Sequence, residues 1–259
     1  HGDRGMLRSW SLAILGALEP KIDARQHALG NSAVREMSDF LRDLVAHRRQ
    51  HPGDPEHDVL TRLIQGEVQG EKLSEVELLQ NCIFILNAGH ETTTNLIGNA
   101  LVCLQEHPVQ LSGLQQALKD TRHEAQQQAD LLNLAVDEFL RFESSNQLGN
   151  RRSVKDIRVG DVTLPAGALV TLCIAAANRD PAQFDQPDTL RLNRTENRHL
   201  AFGLGIHQCA GLSLARLEGR IAIGRFLQRF PNYQLSSVPI RGRRARFRGF
   251  TQAPFVTGL

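Results

Sequence analysis

The stretch Phe202-Gly203-Leu204-Gly205-Ile206-His207-Gln208-Cys209-Ala210-Gly211 sets one cysteine in glycine-rich backbone directly ahead of an amphipathic segment. Beyond it Leu214, Leu217, Ile221, Leu227 and Phe230 recur mostly at three- and four-residue steps, which predicts a helix from Leu212 with one buried face. Cys209 then stands at a helix N-terminus, where unpaired N–H groups and the positive end of the dipole favour a negative sulfur. Glycines at 203, 205 and 211 remove side chains that would hold backbone away from a flat ligand, and they permit positive φ angles. Such a loop suits a planar cofactor lying against main chain, with a thiolate as metal ligand.

Other readings of the loop compete with this one. A dinucleotide fingerprint needs a third glycine at position 208, where Gln208 stands, so that pattern fails. A zinc site would use His207 and Cys209, yet no Cys-x-x-Cys or second His/Cys pair lies nearby. A buried core cysteine fits the loop alone equally well.

The chain has 259 residues, 41% of them hydrophobic, enough for a substantial core. No apolar run approaches the ~20 residues that span a bilayer. The opening residues lack a signal-peptide pattern, and Cys82, Cys103, Cys173 and Cys209 show no disulfide-framework spacing, which points to a reducing cytoplasm. Net charge is only +2, with Arg241, Arg243, Arg244, Arg246 and Arg248 crowded into eight residues. Without interleaved aromatics or a recognition motif, that run reads as a solvated edge and not as a nucleic-acid site.

The pattern predicts mostly helix. Leu7 to Leu18 reads as one helix stopped by Pro20, and Ser32 to Arg49 as a second. Ser74 and Glu77 have capping-box spacing and open a helix of about thirty residues that Pro108 terminates near Glu106. A further helix covers about Ala129 to Glu143. Strand-like alternation follows at Ile157, Val159, Val162 and Leu164, then a turn at Pro165-Ala166-Gly167 and an apolar run from Ala168 to Ala177. No internal repeat or low-complexity linker divides the chain, so it reads as one domain, 1–259.

The centre of the long helix is built against helix propensity. Asn87-Ala88-Gly89-His90-Glu91-Thr92-Thr93-Thr94 places glycine and three β-branched threonines where alanine or leucine is preferred, at a few tenths to ~1 kcal/mol each. Thr92 can turn its hydroxyl to the carbonyl of Ala88 and bend or open the helix, Gly89 lets a flat cofactor approach, and Glu91 beside a hydroxyl can pass protons inward. Read alone, the segment is more simply a threonine-rich kink with a solvated glutamate. Glu138 and Arg141, three apart, can pair, and their neighbours Phe139, Leu140 and Phe142 suggest a buried pair that needs a third partner.

Together these segments resemble the cytochrome P-450 family of haem-thiolate monooxygenases. The cysteine loop fits that family's Phe-Gly-x-Gly-x-His-x-Cys-x-Gly signature, Ala88 to Thr93 looks like its oxygen-activation motif, and Glu138-x-x-Arg141 like its Glu-x-x-Arg pair. Ala176-Ala177-Asn178-Arg179-Asp180-Pro181 and His199-Leu200-Ala201-Phe202-Gly203 look like soluble bacterial members. The resemblance implies a mainly α fold with a small β region and heme b (iron protoporphyrin IX) on Cys209. It further implies His207 and one of Arg151 or Arg152 at the propionates, Phe202, Gly203, Gly211, Ala88 and Gly89 against the cofactor, and Arg194 completing the Glu138/Arg141 cluster. The implied activity is insertion of one atom of O₂ into a small organic substrate, with Thr92 and Glu91 managing protons and a separate ferredoxin or flavoprotein donating electrons. Arg220, Arg225 and the 241–248 cluster would attract that donor. A peroxide-using enzyme and a non-catalytic haem-binding fragment are the alternatives. Segments 84–88, 146–149 and 250–252 are expected to line the substrate cavity. Leu190 and Arg191 depart from the family's usual Phe-Asp, which puts the packing of that loop in question. The 7–18 helix looks like the one over the substrate cavity, so the chain is expected to start in mid-fold and, alone, to hold haem weakly.

Overall fold

The computed structural model describes residues 3–68, 70–121 and 124–258. Two compact units are present, His1–Glu91 and Thr92–Leu259.

In the first unit, helix α1 (Asp3–Gly16) packs on α2 (Ala24–Gln50), followed by α3 (Val59–Gln65), a short antiparallel pair β1 (Glu67–Val68) and β2 (Glu71–Lys72), and the start of α4 (Glu75–Glu106). Helix α2 begins eight residues before the apolar spacing suggests, because Asp23 and Gln26 cap it reciprocally: Gln26 N donates to Asp23 Oδ1 (2.7 Å) and Asp23 N to Gln26 Oε1 (2.9 Å). Ala33, Met37, Leu41 and Val45 form its buried stripe at four-residue spacing, packed with Trp10 of α1 and with Leu78, Leu79, Cys82 and Ile83 of α4. Gly30 sets the approach of α1 and α2, since a Cβ there would lie 2.4 Å from the Ala17 Cβ. The capping box expected at the head of α4 is formed, with Ser74 N donating to Glu77 Oε2 (2.8 Å) and Glu77 N to Ser74 Oγ (3.3 Å).

The second unit opens with the latter half of α4. Pro108 ends α4 as expected and also begins α5 (Pro108–Asp120), a helix the spacing alone leaves unread; proline at the first helical position removes a donor that has no partner there anyway. Helix α6 (Ala125–Phe142) leads to β3 (Leu148–Arg152), which the polar sequence Asn150-Arg151-Arg152 conceals and which pairs antiparallel with β6 (Leu169–Cys173). Between them lies the hairpin of β4 (Ile157–Val159) and β5 (Val162–Leu164), where the alternation placed it. The apolar run changes from strand to helix at α7 (Ile174–Ala177). After α8 (Leu212–Arg229) come two short antiparallel pairs, β7 (Gln234–Leu235) with β10 (Phe255–Val256) and β8 (Ile240–Arg241) with β9 (Phe250–Gln252).

The core of this unit joins α4, α6 and α8 through Leu96, Ala100, Leu104, Leu132, Val136, Phe139, Ile223 and Leu227. The buried face of α8 differs from the expected one. Leu214 is 59% exposed and Ile221 44%, while Gly219, Ile223, Gly224 and Leu227 are buried. The cause is close approach: a Cβ at Gly219 would lie 3.1 Å from Leu96 Cδ2, and one at Gly224 2.7 Å from Leu132 Cδ1. Missing side chains carry this contact, and apolar periodicity does not register them.

Candidate functional site

The cysteine loop is held by its own main chain. Gly203 N donates to Leu200 O (2.8 Å), Cys209 N to Phe202 O (2.8 Å), Gln208 N to Gly205 O (3.0 Å) and Leu212 N to Cys209 O (3.3 Å), with a 3₁₀ turn over Gly205–His207. Gly203 and Gly205 adopt φ of 68° and 71°, values that disfavour any side chain, and a Cβ at Gly203 would also lie 3.3 Å from His207 O. Gly211 has negative φ and caps α8; a Cβ there would stand 3.9 Å from Cys209 Sγ, ordinary contact distance. Cys209 is exposed, so the reading of it as a core residue does not hold; Cys82 and Cys103 are the buried ones, and burial pushes the Cys103 thiol up to about 12. His207 is exposed at the end of the turn, and Phe202 is half-buried with the Arg216 guanidinium 4.9 Å from its ring centroid.

Beneath the loop lies a buried ionic layer. Arg141 grips Glu138 bidentately, Nε to Oε2 and Nη2 to Oε1 at 2.8 Å each, and both side chains have no solvent exposure. Arg194 Nε reaches Glu138 Oε2 at 3.1 Å, so Glu138, Arg141 and Arg194 do come together, joined by Asn197 Nδ2 at 3.2 Å. The remaining guanidinium donors reach main-chain oxygens: Arg141 to Asn178, Pro187 and Thr189, Arg194 to Asp185 and Gln186. Both guanidinium groups therefore share the Glu138 carboxylate, and each nitrogen of both has an oxygen partner, the condition under which a buried ion cluster holds a fold together. The departure at Leu190 and Arg191 does not loosen this region: Leu190 is buried in the core, and Arg191 contributes its main-chain N–H to Glu138 Oε1 (2.8 Å), a bond indifferent to side chain. Asn178 connects the layer to the loop, accepting Leu200 N–H at Oδ1 (2.6 Å) and donating from Nδ2 to Ser144 Oγ (2.8 Å).

Helix α4 is α-helical throughout its 32 residues, so the helix does not open at Thr92. Ala88 and Gly89 are exposed on it, Glu91 and Thr92 half-buried, and nothing lies within 4 Å of where a Gly89 Cβ would point. Arg151 and Arg152 are exposed on β3; Arg151 Nη1 donates to Asn150 O (2.8 Å) and Arg152 Nη1 to Gly167 O (3.0 Å), and neither bond links them to the cysteine loop. In the arginine run, Arg241 (Nη1 to Oε1, 2.7 Å) and Arg248 both pair with Glu143, so part of that charge is neutralised within the fold.

Among the described residues no group of three or more His, Cys, Asp or Glu side chains could hold a metal ion, which removes the zinc reading there. A metal at Cys209 must therefore bring most of its ligands with it. An exposed thiol on a glycine-rich loop, with the exposed apolar side chains Leu204, Ile206 and Leu214 in the same segment, fits an iron already held by a flat macrocycle. Among the described residues no helix is long and apolar enough to cross a membrane.

Three residues at this site escaped the sequence reading: Asp137, His199 and Arg216. Asp137 Oδ1 accepts from Arg216 Nε (2.7 Å) and from His199 Nε2 (3.3 Å). Asp137 precedes Glu138, and a second carboxylate beside a Glu-x-x-Arg pair was the available signal.

A family model described as cytochrome P450 matches residues 18–241. The chain is 39% identical over 237 residues to cytochrome P450 107B1 of Saccharopolyspora erythraea, covering 91% of this chain and 53% of that protein. It is 39% identical over 208 residues to a vitamin D(3) 25-hydroxylase of Pseudonocardia autotrophica, 80% and 48% of the two chains. Among solved structures, P450BioI in complex with hexadec-9Z-enoic acid ligated acyl carrier protein superposes with a TM-score of 0.89 at 35% identity, over 98% of this chain and 62% of that one. The chain thus spans about half the length of the curated relatives it matches.

Proposed function

The chain belongs to the cytochrome P450 family, and from that premise we propose that it supplies the haem-thiolate part of a cytoplasmic monooxygenase that inserts one atom of O₂ into a small organic substrate. The observation that carries this reading is the exposed Cys209 thiol on a loop whose glycines and main-chain bonds hold it at the start of α8. Iron protoporphyrin IX, when bound, supplies the reductive cleavage of O₂.

The chain's own residues have separable tasks. Cys209 donates thiolate charge to the metal, and the N-terminus of α8 favours that charge. Gly203 and Gly205 bring main chain within reach of a flat cofactor, and His207 offers a ring N–H to a propionate. Of the two strand arginines, Arg152 is tied to the 165–167 turn through Gly167 O, whereas Arg151 holds only the adjacent carbonyl, a bond that a propionate could replace, which favours Arg151 as the propionate partner. Glu91 and Thr92 Oγ1 carry protons inward from solvent along α4. Electrons come from a separate ferredoxin or flavoprotein, toward which Arg220 and Arg225 add positive charge on α8. A vitamin D hydroxylase and an acyl-carrier complex among the relatives bear chemically different ligands, so pocket-lining residues and not family membership set the substrate.

The test supplies a haem-loaded complete enzyme that contains this chain with hexadec-9Z-enoic acid and vitamin D₃ as trial substrates, under ¹⁸O₂ with a reduced ferredoxin. One labelled oxygen per product molecule is expected. Product that forms with hydrogen peroxide but never with ferredoxin and O₂ would replace this reading by a peroxide-using enzyme.

A further inference from the structure

Adjacent carboxylates on α6 point to different jobs. Glu138 holds the buried arginine layer, while Asp137, one residue earlier, faces the base of the cysteine loop. His199, its side chain 3% exposed, donates from Nε2 to Asp137 Oδ1 and accepts the Ala201 N–H at Nδ1 (3.2 Å). That pair of bonds assigns the proton of the neutral ring to Nε2 and fixes the ring's orientation. Arg216 of α8 completes the node, donating to Asp137 Oδ1 while its guanidinium lies over the Phe202 ring, whose centroid is also 5.8 Å from that of His199. Phe202 O in turn accepts the Cys209 N–H. One carboxylate thus ties together α6, the strand of loop before the glycines, and the helix that follows Cys209.

We propose that Asp137 and His199 form a latch that positions the Cys209 loop, Asp137 acting as a positioning residue through His199, Ala201 and Phe202. The latch concerns geometry that exists without cofactor. Only its consequence for the ligand rests on the reading of Cys209 given above.

The test has two arms. In the first, amide hydrogen exchange is measured on residues 1–259 and on the Asp137→Ala, Asp137→Asn and His199→Gln variants. Asp137→Ala and His199→Gln should each speed exchange at Ala201 and Cys209 about tenfold, with Leu132 to Val136 of α6 unchanged, since a hydrogen bond to a charged or buried group is lost. Asp137→Asn keeps an acceptor for His199 Nε2 and should restore most of the protection. Making two disruptive variants keeps the comparison available if either fails to fold. Unchanged exchange at Ala201 and Cys209, or a rise spread evenly over α6 and α8, would overturn the latch. In the second arm, the reduced carbon monoxide complex of haem-loaded Asp137→Ala should lose thiolate-type Soret intensity to the neutral-thiol type at equal haem content, with recovery in Asp137→Asn. A wild-type ratio of the two bands would overturn the positioning role. If instead Cys209→Ala keeps the thiolate band, the ligand reading fails while the exchange arm stands on its own.

Discussion

The Glu138 carboxylate, with Arg141, Arg194, the Asn197 amide and the Arg191 main-chain N–H as partners, shows how much one residue of this chain carries. Removing Glu138 leaves Arg141 and Arg194 charged, buried and without their shared counter-ion, and breaking such a pair costs ~3–5 kcal/mol. Glu138→Ala should therefore lower the unfolding free energy by about that much in urea denaturation, and an unchanged midpoint would contradict the role given to the cluster. Asp137 has a pH signature instead. Burial works to raise its pKa, but hydrogen bonds from His199 and Arg216 outweigh burial and hold it below its ordinary 3.8. A depressed folded pKa contributes stability that is fully present above the unfolded value and is lost as pH falls through the folded one. The stability gap between wild type and Asp137→Asn should accordingly be constant from pH 7 down to about 5 and shrink below about 4. A gap that persists undiminished to pH 3 would show that Asp137 is not an ionised partner.

Helices meet here through glycine at Gly30, Gly219 and Gly224 as well as through leucine. Gly30→Ala should destabilise the chain, because the added methyl meets the Ala17 Cβ at 2.4 Å and neither atom can rotate away. Overpacking of that kind costs ~1–3 kcal/mol, more than the ~1 kcal/mol gained in helix propensity. Gly113→Ala in α5 has nothing within 4 Å of the new Cβ and should stabilise by up to about 1 kcal/mol. Thermal melts of the two variants should move in opposite directions; parallel shifts would sink the close-approach argument. The same contacts explain what the sequence made legible. Capping at Ser74, the proline stop near Glu106 and the hairpin at 157–164 follow from local chemistry and stand where they were read. The early start of α2 was missed because its cap, Asp23, is separated from the apolar stripe by a polar turn. The inner face of α8 was misread because Gly219 and Gly224 make contacts by lacking side chains. Among candidate site residues, the Glu138 pair was legible from its apolar neighbours, whereas a carboxylate beside that pair marks Asp137 but not its partner His199, which lies 62 positions away.

For the whole molecule, the account rests on a thiolate held at the head of α8, with proton delivery from α4 proposed alongside it. In an enzyme turning over substrate, Thr92→Ala should retain haem and reducibility yet divert electrons to hydrogen peroxide, because protons then arrive from disordered water. Unchanged product per electron consumed would remove Thr92 from that role. The identity of the metal ligand is the claim on which everything else depends. The most direct measurement is the absorbance spectrum of the reduced carbon monoxide complex for haem-loaded wild type and for Cys209→Ala, Cys82→Ala and Cys103→Ala. The thiolate-type Soret band should vanish in Cys209→Ala alone and survive in the two buried-cysteine variants; its survival in Cys209→Ala would contradict the assignment of this chain's cofactor site.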